Sequence, residues 1–220
     1  MGVNLPDWLV PLRDIAQVGG PVVVLLMVVA VLTGAVVLYK IWQFSKAGVG
    51  RHKALSAAVA AWDRGDRAQA RASLAQSTSY LAPVIKMALS CEKAAAERLS
   101  AEAELRFARL ERGFRYLDSV AQLAPLLGLF GTVLGMIAAF QSLQSAGTQV
   151  DPSVLAGGIW VALLTTAAGL VVAMPTALVL SWLESRMEAE RVIADKAILT
   201  VLAPTVRSNE AKVTVVADHG

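Results

Sequence analysis

The sequence lacks charged residues over three long stretches. No Asp, Glu, Lys or Arg lies between Asp118 and Asp151 or between Asp151 and Glu184, and a third charge-free run extends from Ile15 to Tyr39. A bilayer core of ~30 Å and a helical rise of ~1.5 Å per residue make about 20 apolar residues enough for one crossing. Because every run is that long, and 56% of all residues are hydrophobic, we predict a membrane protein with three spans.

The residues that support catalysis are equally scarce. The three charge-free runs contain no His or Cys, so an enzyme acting inside the bilayer would lack the ionisable groups that it needs. Cys91 is the only cysteine, which excludes an internal disulfide, and His52 and His219 are isolated in the sequence. The stretch GLFGTVLG lacks the Gly-Lys-Ser/Thr ending of a phosphate loop. We therefore expect a protein that is not an enzyme, with no catalytic residue, no metal site and no cofactor.

The distribution of basic residues predicts the orientation, because basic loops stay on the cytoplasmic side of a membrane. The segment from Lys40 to Asp118 carries 14 of the 20 Lys and Arg residues, and the tail after Glu184 carries 5. The N-terminal flank has only Arg13, and without a basic n-region it does not resemble a signal peptide. The N-terminus is thus predicted to face outward. Basic residues interleaved with aromatic ones are not found, so we expect no nucleic-acid binding.

These patterns predict an all-α integral membrane protein with three transmembrane helices and an outside N-terminus, whose long helices extend into a cytoplasmic helical domain. The predicted segments, in chain order, are a periplasmic N-terminal segment 1–17, transmembrane helix 18–44, the cytoplasmic helical domain 45–118, transmembrane helix 119–144, a short periplasmic loop 145–153, transmembrane helix 154–183, and a cytoplasmic C-terminal helix with a disordered tail 184–220.

The cytoplasmic segment has the composition of a helical domain. HKALSAAVAAWDRGDRAQARASLAQ predicts two helices joined by a turn at Asp63–Asp66, with Trp62 as a packing anchor. From Pro83 onward no strong stop signal interrupts the pattern, which predicts one long helix continuing into the second span. The charged stretch from Glu92 to Arg115 can bind a partner or form a solvated, ion-paired helix face; the second interpretation is favoured.

Small residues form a stripe along each of the last two spans. Helices in lipid associate by close packing, so small residues at spacings of three and four predict the contact face. The second span has Gly128, Thr132, Gly135, Ala139 and Ser142 in its stripe, and Gly131 with Gly135 also forms a GxxxG motif. The third span has Gly158, Ala162, Thr165, Gly169, Ala173 and Thr176, with Thr166 beside them.

Each of these spans also contains a proline, Pro125 or Pro175. A proline removes one amide donor and frees the carbonyl four residues earlier, so both helices are predicted to bend. Two interpretations stay open. The prolines are simply tolerated in membrane helices, or they supply a hinge or a hydrated carbonyl beside a pore.

Two blocks resemble a known family. LAPLLGLFGTVLGMIAAFQ (123–141) and DPSVLAGGIWVALLTTAAGLVVAMPTALVLSWLESRME (151–188), together with the three-span plan and large cytoplasmic loop, are similar to the MotA/TolQ/ExbB proton-channel family, most closely to ExbB. The resemblance implies a multi-pass subunit of the bacterial inner membrane that forms a homo-pentamer in the lipid bilayer. It further implies an ExbD-like or TolR-like single-span dimer inside the pore, whose aspartate carries the proton, and a TonB-like or TolA-like protein that receives the work.

Carried over position by position, the resemblance places pore threonines at Thr132 and Thr166, with Thr165 and Val161 also along the ion path. Many relatives resembling ExbB have a glutamate where this chain has Val161, in the run Gly158 to Leu164. Its absence leaves proton exchange to the partner, as in MotA-like subunits, or marks an altered relative.

The function implied by the resemblance is a proton-driven motor subunit that energises TonB-dependent outer-membrane transport. A TolQ-like role in cell-envelope integrity and division is the alternative within the family. A passive scaffold would leave pore-threonine variants normal, and a solute transporter would need a polar site at the midplane.

Overall fold

The computed structural model describes residues 10–90, 96–145 and 152–205, and these ranges are mostly helical. Seven helices cover them: α1 (Val10–Ala47), α2 (Lys53–Asp63), α3 (Arg67–Ala75), α4 (Ala82–Ser90), α5 (Ala96–Glu111), α6 (Phe114–Ser145) and α7 (Pro152–Leu202). No strand occurs within these ranges. The predicted all-α class is thereby confirmed.

Within the described residues, three helices are long and apolar enough to cross a membrane, which confirms the predicted number of spans. They lie at Gly20–Ala47, Phe114–Ser145 and Leu155–Leu202. The helix α7 is far longer than a bilayer requires, and its first charge is Glu184. Because a charged side chain is costly in lipid, we place the membrane part of α7 before Glu184. The predicted segment boundaries and the outward N-terminus stay predictions.

The described chain divides into two compact units. The first contains α1 up to Leu38 together with Gly113–Trp182. Its core joins all three membrane helices, through Val22 and Leu26 of α1, Val120 and Ala124 of α6, and Ala173 of α7. The helix α1 is kinked at Gly20, whose φ of 66° and ψ of −168° interrupt the helix immediately before Pro21.

The second unit contains the described residues of Tyr39–Arg112 and those from Leu183 to Thr205. The predicted helix–turn–helix is present, since α2 ends at Asp63 and α3 begins at Arg67. The Asp66 side chain accepts a hydrogen bond from the Gln69 amide and so caps α3. Trp62 is buried and its Nε1 donates to the carbonyl of Val201 at 3.0 Å, so it is the packing anchor that the sequence predicts.

The prediction of one long helix from Pro83 into the second span is wrong. The chain instead forms α4, α5 and α6, and α5 ends before Gly113, which has a φ of 94°. Glycine adopts this left-handed conformation without the steric penalty of a Cβ, so Gly113 ends one helix and lets the next begin.

Several sequence predictions concern residues that the structure does not describe. These are Cys91, His219, most of the loop at 145–153, the first nine residues of the N-terminal segment, and the tail from residue 206.

Candidate ion path and buried polar cluster

The glycines of the two stripes lie where α6 and α7 meet within the first unit. A Cβ added at Gly128 would lie 2.9 Å from the carbonyl oxygen of Thr165, and one at Gly131 would lie 2.7 Å from the Thr165 Cβ. One added at Gly169 would lie 2.5 Å from the carbonyl oxygen of Ala124. Real Cβ atoms essentially never approach so closely. The two helices can therefore touch backbone to backbone only because these positions have no side chain.

The remaining two glycines continue the same contact toward the other end of the helices. A Cβ at Gly135 would lie 3.2 Å from the Cβ of Ala162, and Gly158 lies against Ala139. The glycines of the two stripes therefore pair within one chain. The faces that remain on the outside of α6 and α7 are large and apolar, as at Leu129, Leu163 and Val171.

Two threonines of α7 converge on one carbonyl of α6. The hydroxyl of Thr165 donates to the carbonyl oxygens of Ala162 at 2.7 Å and of Gly128 at 3.2 Å, and the side chain is buried. The hydroxyl of Thr166 lies 3.5 Å from the same Gly128 oxygen, and Thr166 is only half-buried. Thr166 therefore makes the weaker bond of the two and keeps more capacity to bind another group.

The other two predicted path residues are placed differently. The hydroxyl of Thr132 donates to the Leu129 carbonyl in its own helix at 2.6 Å, and Thr132 is half-buried. Val161 is also half-buried, one turn before Thr165 on α7. Pro125 is half-buried inside α6 and Pro175 is exposed inside α7.

A hydrogen bond that no sequence pattern predicts joins α1 and α6. The hydroxyls of Thr33 and Tyr116 lie 3.4 Å apart, and Thr33 is buried in the first unit. Thr33 is a hydroxyl-bearing residue within the charge-free run of α1, which is the signal for it in the sequence, and its partner lies 83 residues away in the chain.

The sequence matches the model of a known family. The model of the MotA/TolQ/ExbB proton channel family matches residues 71–196, which is more than half of the chain. The chain belongs to this family. Within it, the named relatives agree with the resemblance to ExbB.

Three relatives illustrate the similarity. The putative biopolymer transport protein ExbB-like 1 of Synechocystis sp. is 45% identical over 78 residues, which is 34% of this chain and 31% of the relative. The biopolymer transport protein exbB1 of Vibrio cholerae is 48% identical over 63 residues, or 29% and 28% of the two chains. The Tol-Pal system protein TolQ of Haemophilus influenzae is 40% identical over 80 residues, which is 36% of this chain and 35% of the relative. The chain thus spans about a third of the length of these relatives.

A second polar site lies in the second unit of this ExbB-like chain and corrects the interpretation of His52 as isolated. The Nε2 of His52 lies 2.8 Å from Oε1 of Glu190, a residue of α7 that is only 1% exposed. The same carboxylate accepts bonds of 2.8 Å from the Tyr80 hydroxyl and the Gly50 amide. A pairing over 138 residues leaves no local pattern in the sequence, so the sequence alone does not predict it.

The cluster holds Glu190 in its charged form. Burial alone raises the pKa of this carboxyl, but the hydrogen bonds from His52 and Tyr80 outweigh burial and lower the pKa below the usual 4.5. Burial and the bond to Glu190 together raise the pKa of Tyr80, so its hydroxyl stays protonated and keeps donating. Among the described residues no group of three or more His, Cys, Asp or Glu side chains is placed to hold a metal. We infer that the hydrogen bonds of this cluster stabilise the second unit.

The variant Glu190→Gln is expected to lower the free energy of unfolding by about 3 kcal/mol, because it removes the buried, charged acceptor of the hydrogen bonds from the Tyr80 hydroxyl and the Gly50 amide. The matched control is Ser185→Ala, an exposed position on the same helix, which is expected to change stability by less than about 0.5 kcal/mol. Thermal unfolding of the detergent-solubilised protein, followed by circular dichroism, measures both.

The stabilisation by Glu190 also has a defined pH dependence. Its pKa is lower in the folded state, so the contribution is complete above the unfolded value of about 4.5 and is lost as the pH falls through the folded value. The difference in stability between wild type and Glu190→Gln should therefore shrink below about pH 4.5. Equal melting temperatures at pH 7 would show that the carboxylate does not hold the unit together.

Proposed function

We propose that this chain is the channel and motor subunit of a proton-driven complex, acting with an ExbD-like or TolR-like partner in the bacterial inner membrane and energising TonB-dependent transport. One observation carries the proposal. Along the contact of α6 and α7 the polar side chains are threonine hydroxyls, two of them gathered at the Gly128 carbonyl, while the charge-free runs of both helices have no ionisable residue. A surface with these hydroxyls can bind a proton-carrying group of a partner without taking up the proton itself.

The chemistry of a hydroxyl suits this role. A hydroxyl donates a hydrogen bond to a carboxylate and accepts one from a protonated carboxyl, so it can hold a partner aspartate in both states. Thr166 is the best placed for this, because its contact with the Gly128 oxygen is long, at 3.5 Å, whereas Thr165 makes a bond of 2.7 Å to Ala162. Val161 has no carboxyl group, so in this proposal the aspartate of the partner carries the proton.

The driving force is sufficient for a mechanical step. A proton-motive force of ~150 mV supplies ~3.5 kcal/mol per proton, at about 2.3 kcal/mol per 100 mV. Protonation removes the charge of the partner aspartate and weakens its bond to the hydroxyls of one copy, and the partner helices then move to the next copy. We propose five copies around a partner dimer, with the N-terminus outside and a TonB-like protein as recipient. No step in this cycle makes or breaks a covalent bond to a substrate other than the proton, so the proposed role is not enzymatic.

A TolQ-like role in the cell envelope is the second candidate. The TolQ protein of Haemophilus influenzae is 40% identical over its matched segment, which is little below the 45% of the ExbB-like protein of Synechocystis sp.. Both candidates use the same channel and differ in the protein that receives the work. Binding of the purified complex to a TonB-like or to a TolA-like protein distinguishes them.

The architecture is tested by the native mass of the chain purified in detergent after co-expression with a single-span ExbD-like protein. The proposal predicts five copies of this chain with two of the partner. A monomer or dimer that retains no partner would contradict it and favour a passive scaffold.

A further inference from the structure

The helix α5 in the second unit has an exposed side with apolar and basic residues. Ala101, Leu105 and Ala108 follow one another at spacings of four and three, so they lie on one side of the helix. Leu105 is 57% exposed, on the side of the helix opposite to its buried residues. We define the α5 ridge as Arg98, Ala101, Leu105, Ala108 and Arg109 of α5 with Arg112 directly after it, all of which are exposed. Glu97 and Glu104 are exposed at its edge, and Glu104 pairs with Arg191 of α7.

The cytoplasmic part of α7 has an exposed side of opposite charge. Val192 and Leu199 lie seven residues apart on one side of the helix and are 60% and 61% exposed. Three acids, Glu184, Glu188 and Asp195, occupy the same side at spacings of four and seven, with Lys196 at its edge. We define the α7 ridge as Glu184, Glu188, Val192, Asp195 and Leu199, all of which are exposed.

The two ridges do not face each other within one chain. The helices α5 and α7 already meet through other sides, where Nη1 of Arg191 lies 2.8 Å from Oε1 of Glu111. The guanidinium of Arg191 also lies 5.3 Å from the centre of the Phe107 ring. Because those sides are occupied by this contact, each ridge is available to another molecule.

We propose that the α5 ridge of one copy binds the α7 ridge of a second copy of this chain. The arginines of the first ridge match the carboxylates of the second, and each ridge has apolar side chains between its charges, as interfaces with a hydrophobic centre and a polar rim require. The contact joins two different surfaces, so it is head-to-tail and can close into a ring. This inference rests on the proposed function, for which it names the contact between copies.

A cross-linking experiment tests the contact. Two differently tagged versions of the chain are co-expressed with the ExbD-like partner in a Cys91→Ser background, one with Leu105→Cys and the other with Val192→Cys. Each chain has a single cysteine, so a disulfide between the two tags can form only between copies. The control replaces Leu105→Cys by Ala72→Cys, at an exposed position on α3. We expect about fivefold more cross-linked product than in the control, as for a pairing worth about 1 kcal/mol.

Charge reversal supplies a second measurement. Arg98→Glu combined with Arg109→Glu is expected to lower the cross-linking yield about fivefold, and Glu188→Arg with Asp195→Arg in the other chain to restore it. Cross-linking no greater than the control, although the two tags co-purify, would overturn the ridge contact and leave the proposed channel intact. Separate purification of the two tags would overturn both the contact and the pentamer. If cross-linking does not exceed the control, loss of binding to anionic vesicles in the Arg98→Glu, Arg109→Glu variant would show that the α5 ridge binds lipid instead.

Discussion

Thr166→Val is expected to reduce partner-dependent proton flow by about tenfold to a hundredfold, because a hydrogen bond to a charged group contributes about 1.5–3 kcal/mol. Valine has nearly the same shape as threonine, so the variant removes the hydroxyl and leaves the volume in place. The Thr166 hydroxyl is 3.5 Å from the Gly128 oxygen, and losing so weak a contact should leave the packing of α6 against α7 intact. Proton uptake by vesicles containing the purified complex measures the effect.

Two further variants separate the hydroxyl from general damage. Thr166→Ser keeps a hydroxyl at the same position and should retain most of the flow. Thr176→Val removes a buried hydroxyl of the same helix that bonds only its own backbone, at the Val172 carbonyl, and should leave the flow unchanged. Normal flow in Thr166→Val, with the complex assembled, would show that this hydroxyl is not on the ion path and would favour the scaffold interpretation.

Gly169→Ala is expected to lower the free energy of unfolding by about 3 kcal/mol, at the upper end for overpacking a tight interior. The added Cβ would lie 2.5 Å from the Ala124 carbonyl oxygen and 3.2 Å from the Gly128 Cα. Both neighbours are backbone atoms, so no side chain can rotate away and the helices must separate. Separation would also draw Thr166 from the Gly128 carbonyl, so proton flow should fall as well. Thermal unfolding in detergent gives the stability.

The chain contains a well-matched control for this variant. Gly34 lies in α1, and a Cβ added there would meet nothing within 4 Å. Gly34→Ala should therefore be neutral or stabilise the helix by about 0.5–1 kcal/mol, since alanine is the better helix former. Similar melting temperatures for Gly169→Ala and Gly34→Ala would contradict the close packing of α6 on α7.

The features that the sequence predicted well depend on local patterns. Charge-free runs indicate membrane helices because the penalty for a charge in lipid applies residue by residue, and three such helices are present. The small residues at Gly128 and Gly169 lie at the contact of α6 and α7, because spacings of three and four on a helix select one face. Trp62 was identified as an anchor because it is the only aromatic residue of an alanine-rich helix.

The features that the sequence did not predict depend on distant pairings or on a single backbone angle. His52 meets Glu190 across 138 residues, and neither residue has a pattern around it that indicates burial. The helix break at Gly113 rests on one residue with a φ of 94°, whereas an isolated glycine in a helical pattern is often tolerated. The two ridges could be recognised only once the structure showed which sides of α5 and α7 stay exposed.

The most direct test of the central claim is proton flow through vesicles that contain this chain alone, the chain with an ExbD-like partner, or the chain with that partner after its membrane aspartate is changed to asparagine. Because the charge-free runs of this chain have no ionisable residue, the account predicts flow only in the second case. Equal flow through the chain alone would contradict it, since the proton would then cross without the partner's acid.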